Sequence, residues 1–480
     1  MNPVWLIAVP LALAFISTFA NRISNWLLFL SAIFNAVAGI FLSFSSGTVS
    51  YSIGGWRSPF GIDLIVTDAT RILLPVANIL FFFAVIIHLS KKRALEKFSV
   101  VYTISLASLN GILLTNDLFN LFVFLEIAGV AAYLLAMTGK EGESKVAAFK
   151  YLLLGSVGSL LYLLGVAVLY AAAGTLNISA IATKVSDGLL NGDVMLVSSL
   201  LMIAGLGVES KLVPFNGWVP GVFTKSSNMA TLVLASVYPV AMISTFSRVI
   251  LAVGDRRALD LVIVLGVATV LIGEVIAFKQ RNLRSTLAYS SIAQSGLAIF
   301  LVGIGTIEAL TASVMLIINN ALAKFVLFSV DSYTTEELGA DDLESLYGLG
   351  RMAPVAGLIF TVSALSISGM PLFLGFRAKL LAISSSFESL LVVPIVILLA
   401  AVIEITYYFR WIFALYRPYQ GEERARLSLP LELMAIGVVL AAILVFLGSS
   451  SYETLMTFSK AGNAMVDAII TLGKNLIGGV

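Results

Sequence analysis

The chain has 480 residues, 59% of them hydrophobic and only 12% charged, with a net charge of +2 and a mean hydropathy of +1.02. Soluble domains carry about 25% charged residues, so this composition excludes a soluble globular class, and a charge this small gives no footing for nucleic acid. The absence of cysteine and the single histidine, His88, exclude disulfides, thiolate metal sites, iron–sulfur clusters and bis-histidine haem.

Stretches of about 20 apolar residues, each long enough to cross a hydrocarbon core of about 30 Å, recur from end to end. They predict fourteen spans, near residues 3–20, 25–43, 64–89, 98–115, 117–138, 147–172, 194–222, 228–253, 258–279, 285–304, 307–331, 353–384, 388–416 and 429–449. The expected fold class is an all-α polytopic membrane protein. The first stretch lacks a basic leader and reads as a retained helix.

Spans seven and twelve run long and are interrupted. The seventh carries Lys211, Pro214, Gly217 and Pro220, and the twelfth carries Gly369, Pro371 and Gly375. Proline removes a backbone donor and glycine adds freedom, so both helices are expected to break near Pro214 and Pro371. Broken helices at matching places in two halves mark the ion site of transporters built from inverted repeats. Two inverted five-helix repeats follow: helices one to three (1–97), a first repeat (98–253), a second repeat (254–416), and helix fourteen with an amphipathic tail (417–480).

Cations concentrate in the loops after odd-numbered spans, such as Lys91, Lys92 and Arg93, or Lys279, Arg281 and Arg284. That bias places these loops in the cytoplasm and both termini outside. The loop after span eleven is acidic (Asp331, Glu336, Glu337, Asp341, Asp342, Glu344) and reads as a solvated loop or a docking surface. In the tail, Leu455, Phe458, Gly462, Met465, Ile469, Leu472 and Leu476 recur at three and four spacing, as on one face of a surface-bound or subunit-packed helix.

Five cations, Arg71, Lys211, Lys324, Arg377 and Lys379, fall inside predicted spans. Each costs roughly 2.5–3.5 kcal/mol near the bilayer centre, a cost that marks ion pathways. Glu126 is an embedded carboxylate, and Lys211 is its expected partner. Burial disfavours the charged form of either group and an opposite charge favours it, so their separation would decide whether Lys211 holds a proton. The bland alternative is a static ion pair. Lys324 shares a helical face with Asn320, four residues earlier. Lys379 follows the second break, and Glu404 lies deep in span thirteen. Glu274 sits five residues before Lys279 and reads as a snorkelling acid.

The runs NDLFNLFVFLE at 116–126, KYLLLG at 150–155, GTLN at 174–177, KLVPF at 211–215 and RNLRSTLAYSSIAQSG at 281–296 resemble the antiporter-like subunits of Mrp cation/proton antiporters, respiratory complex I and membrane-bound hydrogenases. DLESLYGLGR at 342–351, GMP at 369–371 and GFRAK at 375–379 extend the resemblance over residues 60–410. It implies a proton- or sodium/proton-translocating subunit of a larger prokaryotic plasma-membrane complex, such as a hydrogenase, sulfane reductase or NADH dehydrogenase-like assembly. No cofactor is implied in this chain, and metal centres would sit on partner subunits. Glu126, Lys211, Lys324 and Lys379 take the places of the family's proton-path residues. The chain departs from the family at helix eight, where LVLASVYPVAMIS (232–244) lacks a lysine or histidine, and where Asn216 and Asn320 stand for histidines. Amides and hydroxyls orient water without holding a proton at neutral pH. Water with Tyr238, Ser244 or Asn320 is therefore expected to bridge Lys211 and Lys324. The alternative is a non-conducting membrane scaffold.

Overall fold

The computed structural model describes residues 1–56, 61–90, 96–139, 142–339, 342–387, 391–419, 429–450 and 456–464. The helices are α1 (Trp5–Phe19), α2 (Ser24–Ser43), α3 (Asp68–Leu89), α4 (Glu96–Leu114), α5 (Leu118–Ala136), α6 (Glu143–Ala173), α7 (Ile178–Ser186), α8 (Gly192–Glu209), α9 (Val219–Lys225), α10 (Asn228–Leu232), α11 (Tyr238–Val253), α12 (Arg256–Lys279), α13 (Leu283–Ile304), α14 (Ile307–Leu338), α15 (Leu349–Met352), α16 (Pro354–Ser368), α17 (Leu374–Ser386), α18 (Val392–Tyr416) and α19 (Leu431–Ser449). Among the described residues eleven helices are long and apolar enough to cross a membrane, and three shorter apolar helices take the places of spans one, four and twelve. All fourteen expected spans are present.

Lipid offers the backbone no hydrogen bonds, so each span must satisfy its own. Side-chain caps serve the free donors at many helix starts: Asp117 accepts from Phe119 and Asn120, and Thr67, Asn177, Ser227, Asn282 and Thr306 do the same for their helices. Gly174, Gly305 and Gly339 close α6, α13 and α14 in the left-handed conformation that glycine tolerates. The strands β1 (Val49–Ser52) and β2 (Asp63–Val66) form an antiparallel hairpin, with Val49 opposite Val66. Neither it nor α7 is foreseen from the sequence, because a few alternating residues carry little signal beside long apolar runs. Span three consequently starts at Asp68 instead of residue 64.

Both expected breaks occur. Span seven splits between α8 and α9, and span twelve between α16 and α17. Each break holds one non-glycine residue in the left-handed region, Lys211 (φ 64°) and Leu372 (φ 79°), the only two among the described residues. Such a conformation costs about 1–3 kcal/mol and persists where surrounding structure imposes it. The neighbour pattern repeats between halves. In the first, α4 packs on α5, α5 on α6, α6 on α8 and α8 on α11, which returns to α4. In the second, α12 packs on α13, α13 on α14, α14 on α16 and α17, and these on α18, which returns to α12.

Two of the five embedded cations turn out to be structural. Arg71 pairs with Asp68 and donates to the Gly47 carbonyl and the Ser45 hydroxyl, tying the start of α3 to the preceding loop. Arg377 donates to the Leu447 and Ser450 carbonyls at the end of α19. Asp331 is no loop residue. α14 continues to Leu338, and Asp331 is buried, accepting from Arg284 Nε at 2.6 Å. Residues 456–464 are helical, and Phe458 and Ala461 are buried; Gly462 is close enough to Thr311 that a Cβ would lie 2.2 Å from its hydroxyl. This part of the tail therefore packs on the chain's own α14. Leu455, Met465, Ile469, Leu472 and Leu476 lie outside the described residues, as does Asp341.

The second break is tightly built. A Cβ on Gly375 would sit 1.8 Å from the Ser366 carbonyl oxygen and 3.0 Å from Asn319 Nδ2. Gly375→Ala is expected to overpack this junction and destabilise the fold by about 1–3 kcal/mol or more, read as a lowered unfolding temperature of the solubilised protein.

Candidate functional site

Lys324, in the middle of α14, is fully buried. Its Nζ donates to the Tyr408 hydroxyl at 2.9 Å and to the Leu287 carbonyl at 3.2 Å. The Tyr408 hydroxyl in turn lies 3.0 Å from Ser290 Oγ. Lys379, one turn into α17, forms a salt bridge with Glu404 of α18 and donates to the Ile367 carbonyl at 2.8 Å. The other Glu404 oxygen accepts from Gln294 Nε2 at 2.7 Å. Lys379 has room because Gly369, left-handed at the end of α16, has no side chain: a Cβ there would come within 2.8 Å of Lys379 Cδ. Glu274 joins this cluster. It is 1% exposed, lies beside Tyr407, and is close enough for its charge to act on Glu404, Lys379 and Lys324. The snorkelling expectation for Glu274 is thus overturned, since α12 turns this face toward α13 and α18. Sequence reasoning passes over Tyr408 and Gln294; Tyr408 lies four residues after Glu404, on the same face of one helix.

The first half is built differently. Lys211 is 2% exposed, and among the described residues its Nζ meets no hydrogen-bond acceptor. The ammonium lies 5.1 Å from the centroid of the Phe223 ring, a cation–π contact. Glu126 is half-buried at the middle of α5 and makes no hydrogen bond or ion pair with a described residue. The expected Glu126–Lys211 ion pair is therefore not formed. The left-handed turn at Lys211 directs its chain to Phe223, while Glu126 borders an outward groove between α4 and α5. The carboxylate nearer Lys211 in sequence is Glu209, which accepts from the Tyr151 hydroxyl at 2.8 Å and lies within electrostatic reach of Glu126. An acid two residues before Lys211, at the end of an apolar helix, is the signal that sequence reasoning misses.

Lys211 and Lys324 are near enough for one charge to act on the other. Between their helices Phe223 and Phe328 stack edge to face, with centroids 5.7 Å apart. Helix eight widens into a π turn at Val233–Val237, just before Pro239, whose missing N–H cannot continue the ladder. This turn packs on α14. Ser236 Oγ on the turn and Asn320 Oδ1 on α14 are buried without a partner among the described residues. Tyr238 instead donates to the Ala128 carbonyl at 2.9 Å and meets Ser105, so it reaches α5 and α4. Ser244 lines a cavity of about 240 Å³ with Arg248, Asn116 and Thr70. Another cavity, of about 450 Å³, is lined by His88, Tyr102, Asn228, Ser329, Glu336 and Glu432; Ser329 lies five residues beyond Lys324 on α14. Among the described residues no three histidine or carboxylate side chains converge as a metal site.

Residues 115–404 match the family described as NADH:quinone oxidoreductase/Mrp antiporter, transmembrane. The chain is 30% identical over 423 residues to NADH-quinone oxidoreductase subunit N of Desulforudis audaxviator, covering 83% of this chain and 84% of that one. It is 29% identical over 351 residues to a Na(+)/H(+) antiporter subunit of Alkalihalophilus pseudofirmus, covering 72% and 71%. Among solved structures it superposes on a chain of the membrane-bound sulfane sulfur reductase, an archaeal respiratory membrane complex, with a TM-score of 0.91 and 28% identity over 98% of this chain and 99% of the other. Fourteen apolar spans among the described residues, two breaks, buried lysines on α14 and α17, and these matches agree: the chain is a multi-pass, antiporter-like membrane protein of the NADH:quinone oxidoreductase/Mrp antiporter transmembrane family.

Proposed function

We propose that this chain translocates protons, or exchanges sodium for protons, as one membrane subunit of a larger respiratory or Mrp-type complex. The observation that carries the reading is two buried contacts, Lys324 with Tyr408 and Lys379 with Glu404 beside the second helix break, with Glu404 close enough for its charge to act on Lys324. Lysine and carboxylate exchange protons, a tyrosine hydroxyl passes them, and the broken helix supplies polar backbone that needs water. The two inverted repeats, 98–253 and 254–416, each contribute one lysine beside a break. Glu126 and Glu209 serve the first half, and Ser236, Asn320 and water take the place of a helix-eight cation. The cation bias supports both termini outside, which puts the cavity bordered by Glu336 and Glu432 on the cytoplasmic side as the inlet. Any metal centres of the complex belong to its other subunits.

The test is ion flux into proteoliposomes holding the purified complex. Lys211→Ala and Glu126→Gln are each expected to lower flux by at least about tenfold, with the complex still intact on size exclusion. Normal flux in both variants overturns the reading that the first half carries protons. A second reading, a non-conducting scaffold, is favoured by the Phe223–Phe328 pair and by Val240, which is apolar and fully buried on helix eight. It predicts that flux appears only in a Val240→Lys variant.

A further inference from the structure

We infer that Glu274 is a proton-carrying residue of the second half, and that it exchanges protons with Lys324 through three hydroxyls, those of Tyr408, Ser290 and Tyr407. The inference rests on the reading of Lys324 as part of a proton path, to which it adds a branch that avoids Lys379 and Glu404.

Two lysines and two glutamates are buried together here, and the salt bridge joins Lys379 to Glu404. That leaves Lys324 and Glu274, each within reach of the other's charge. Close helix packing puts Glu274 at this interface. A Cβ on Gly273 would lie 2.8 Å from the Ala293 backbone nitrogen, so α12 and α13 nearly touch, and the adjoining Glu274 is held inside at 1% exposure.

Hydroxyls run from one end to the other. Lys324 Nζ donates to the Tyr408 hydroxyl at 2.9 Å, which lies 3.0 Å from Ser290 Oγ. The Tyr407 ring is next to that of Tyr408, with centroids 4.7 Å apart, and its hydroxyl lies beside both Ser290 and Glu274. Yet among the described residues neither the Tyr407 hydroxyl nor Glu274 Oε2 makes a well-formed hydrogen bond, and both are buried. A donor and an acceptor left unpaired side by side out of water are costly. The wire is open at Tyr407, and a small shift of that ring closes it. Once closed, the Lys324 ammonium gives a proton to Tyr408, whose own proton passes to Ser290. The Ser290 proton passes to Tyr407, and that of Tyr407 to the Glu274 carboxylate. All three hydroxyls are restored, leaving a neutral amine and a carboxylic acid.

Tyr407→Phe deletes one hydroxyl and keeps the ring. In proteoliposomes holding the purified complex it is expected to lower proton flux at least about tenfold, as is Glu274→Gln. The double variant should be no slower than the slower single one, because both cut one wire. Infrared difference spectra after a pH jump should show a protonated-carboxyl band that disappears with Glu274→Gln and is lost or slowed with Tyr407→Phe. Full flux with Tyr407→Phe overturns the inference; if Glu274→Gln alone abolishes flux, Glu274 is a fixed counter-ion. Multiplied losses in the double variant, or a spectrum without a Glu274 band, also overturn it. Where Glu274→Gln fails to assemble, Tyr407→Phe decides alone. If Lys324→Met loses flux while both branch variants keep it, the branch fails and the proton-path reading stands. If Lys324→Met keeps full flux as well, that reading fails and the branch with it.

Discussion

Lys379→Ala is expected to be the most damaging single substitution in the second half. It removes the cation from a pair whose members are 6% and 1% exposed, and leaves the Gln294 amide as the hydrogen-bond donor to Glu404 among the described residues. Breaking a buried pair from one side costs about 3–5 kcal/mol, because the remaining charge is still desolvated. The solubilised protein should unfold at a markedly lower temperature. Adding Glu404→Gln should recover most of that loss, since a neutral amide can be satisfied by Gln294 and water. Ion flux should stay absent in both variants. A single variant as stable as the parent would mean that Lys379 and Glu404 do not depend on each other.

Lys324→Met separates function from stability in the opposite sense. Among the described residues Lys324 forms no salt bridge; its Nζ donates to a tyrosine hydroxyl and a backbone carbonyl. Methionine keeps most of the volume and removes a desolvated amine, so stability should hold or rise. Flux should fall by about 10² or more, the scale of losing a proton-transfer group. Destabilisation together with unchanged flux would mark Lys324 as a packing residue.

The spans and both breaks are legible in the sequence because they rest on strong local physics: twenty-residue apolar runs, and Pro and Gly inside two of them. The hairpin at 49–66 and α7 are not, since short polar elements at a membrane surface leave little trace in sequence. At the site, position along the chain places Lys324, Lys379 and Glu404 correctly inside helices, but partner choice is harder. Glu126 and Lys211 look like a pair because both are embedded in one repeat. Which way each side chain points depends on the left-handed backbone at Lys211 and on the facing of α5, and neither follows from spacing. Arg71 and Arg377 look buried and unpaired for the same reason, whereas helix-end carbonyls and a loop complete them. Asp331 is hidden by a helix that continues past the apolar stretch, and Glu274 by its nearness to Lys279.

Continuity between the halves depends on the space around Lys211, the π turn of helix eight and α14. A map of the native complex fine enough to place water would examine it. A conducting path predicts ordered water joining Lys211 Nζ to Ser236, Asn320 Oδ1 and Lys324, past the edges of Phe223 and Phe328. A dry gap closed by those two rings, in every state of the complex, would contradict it.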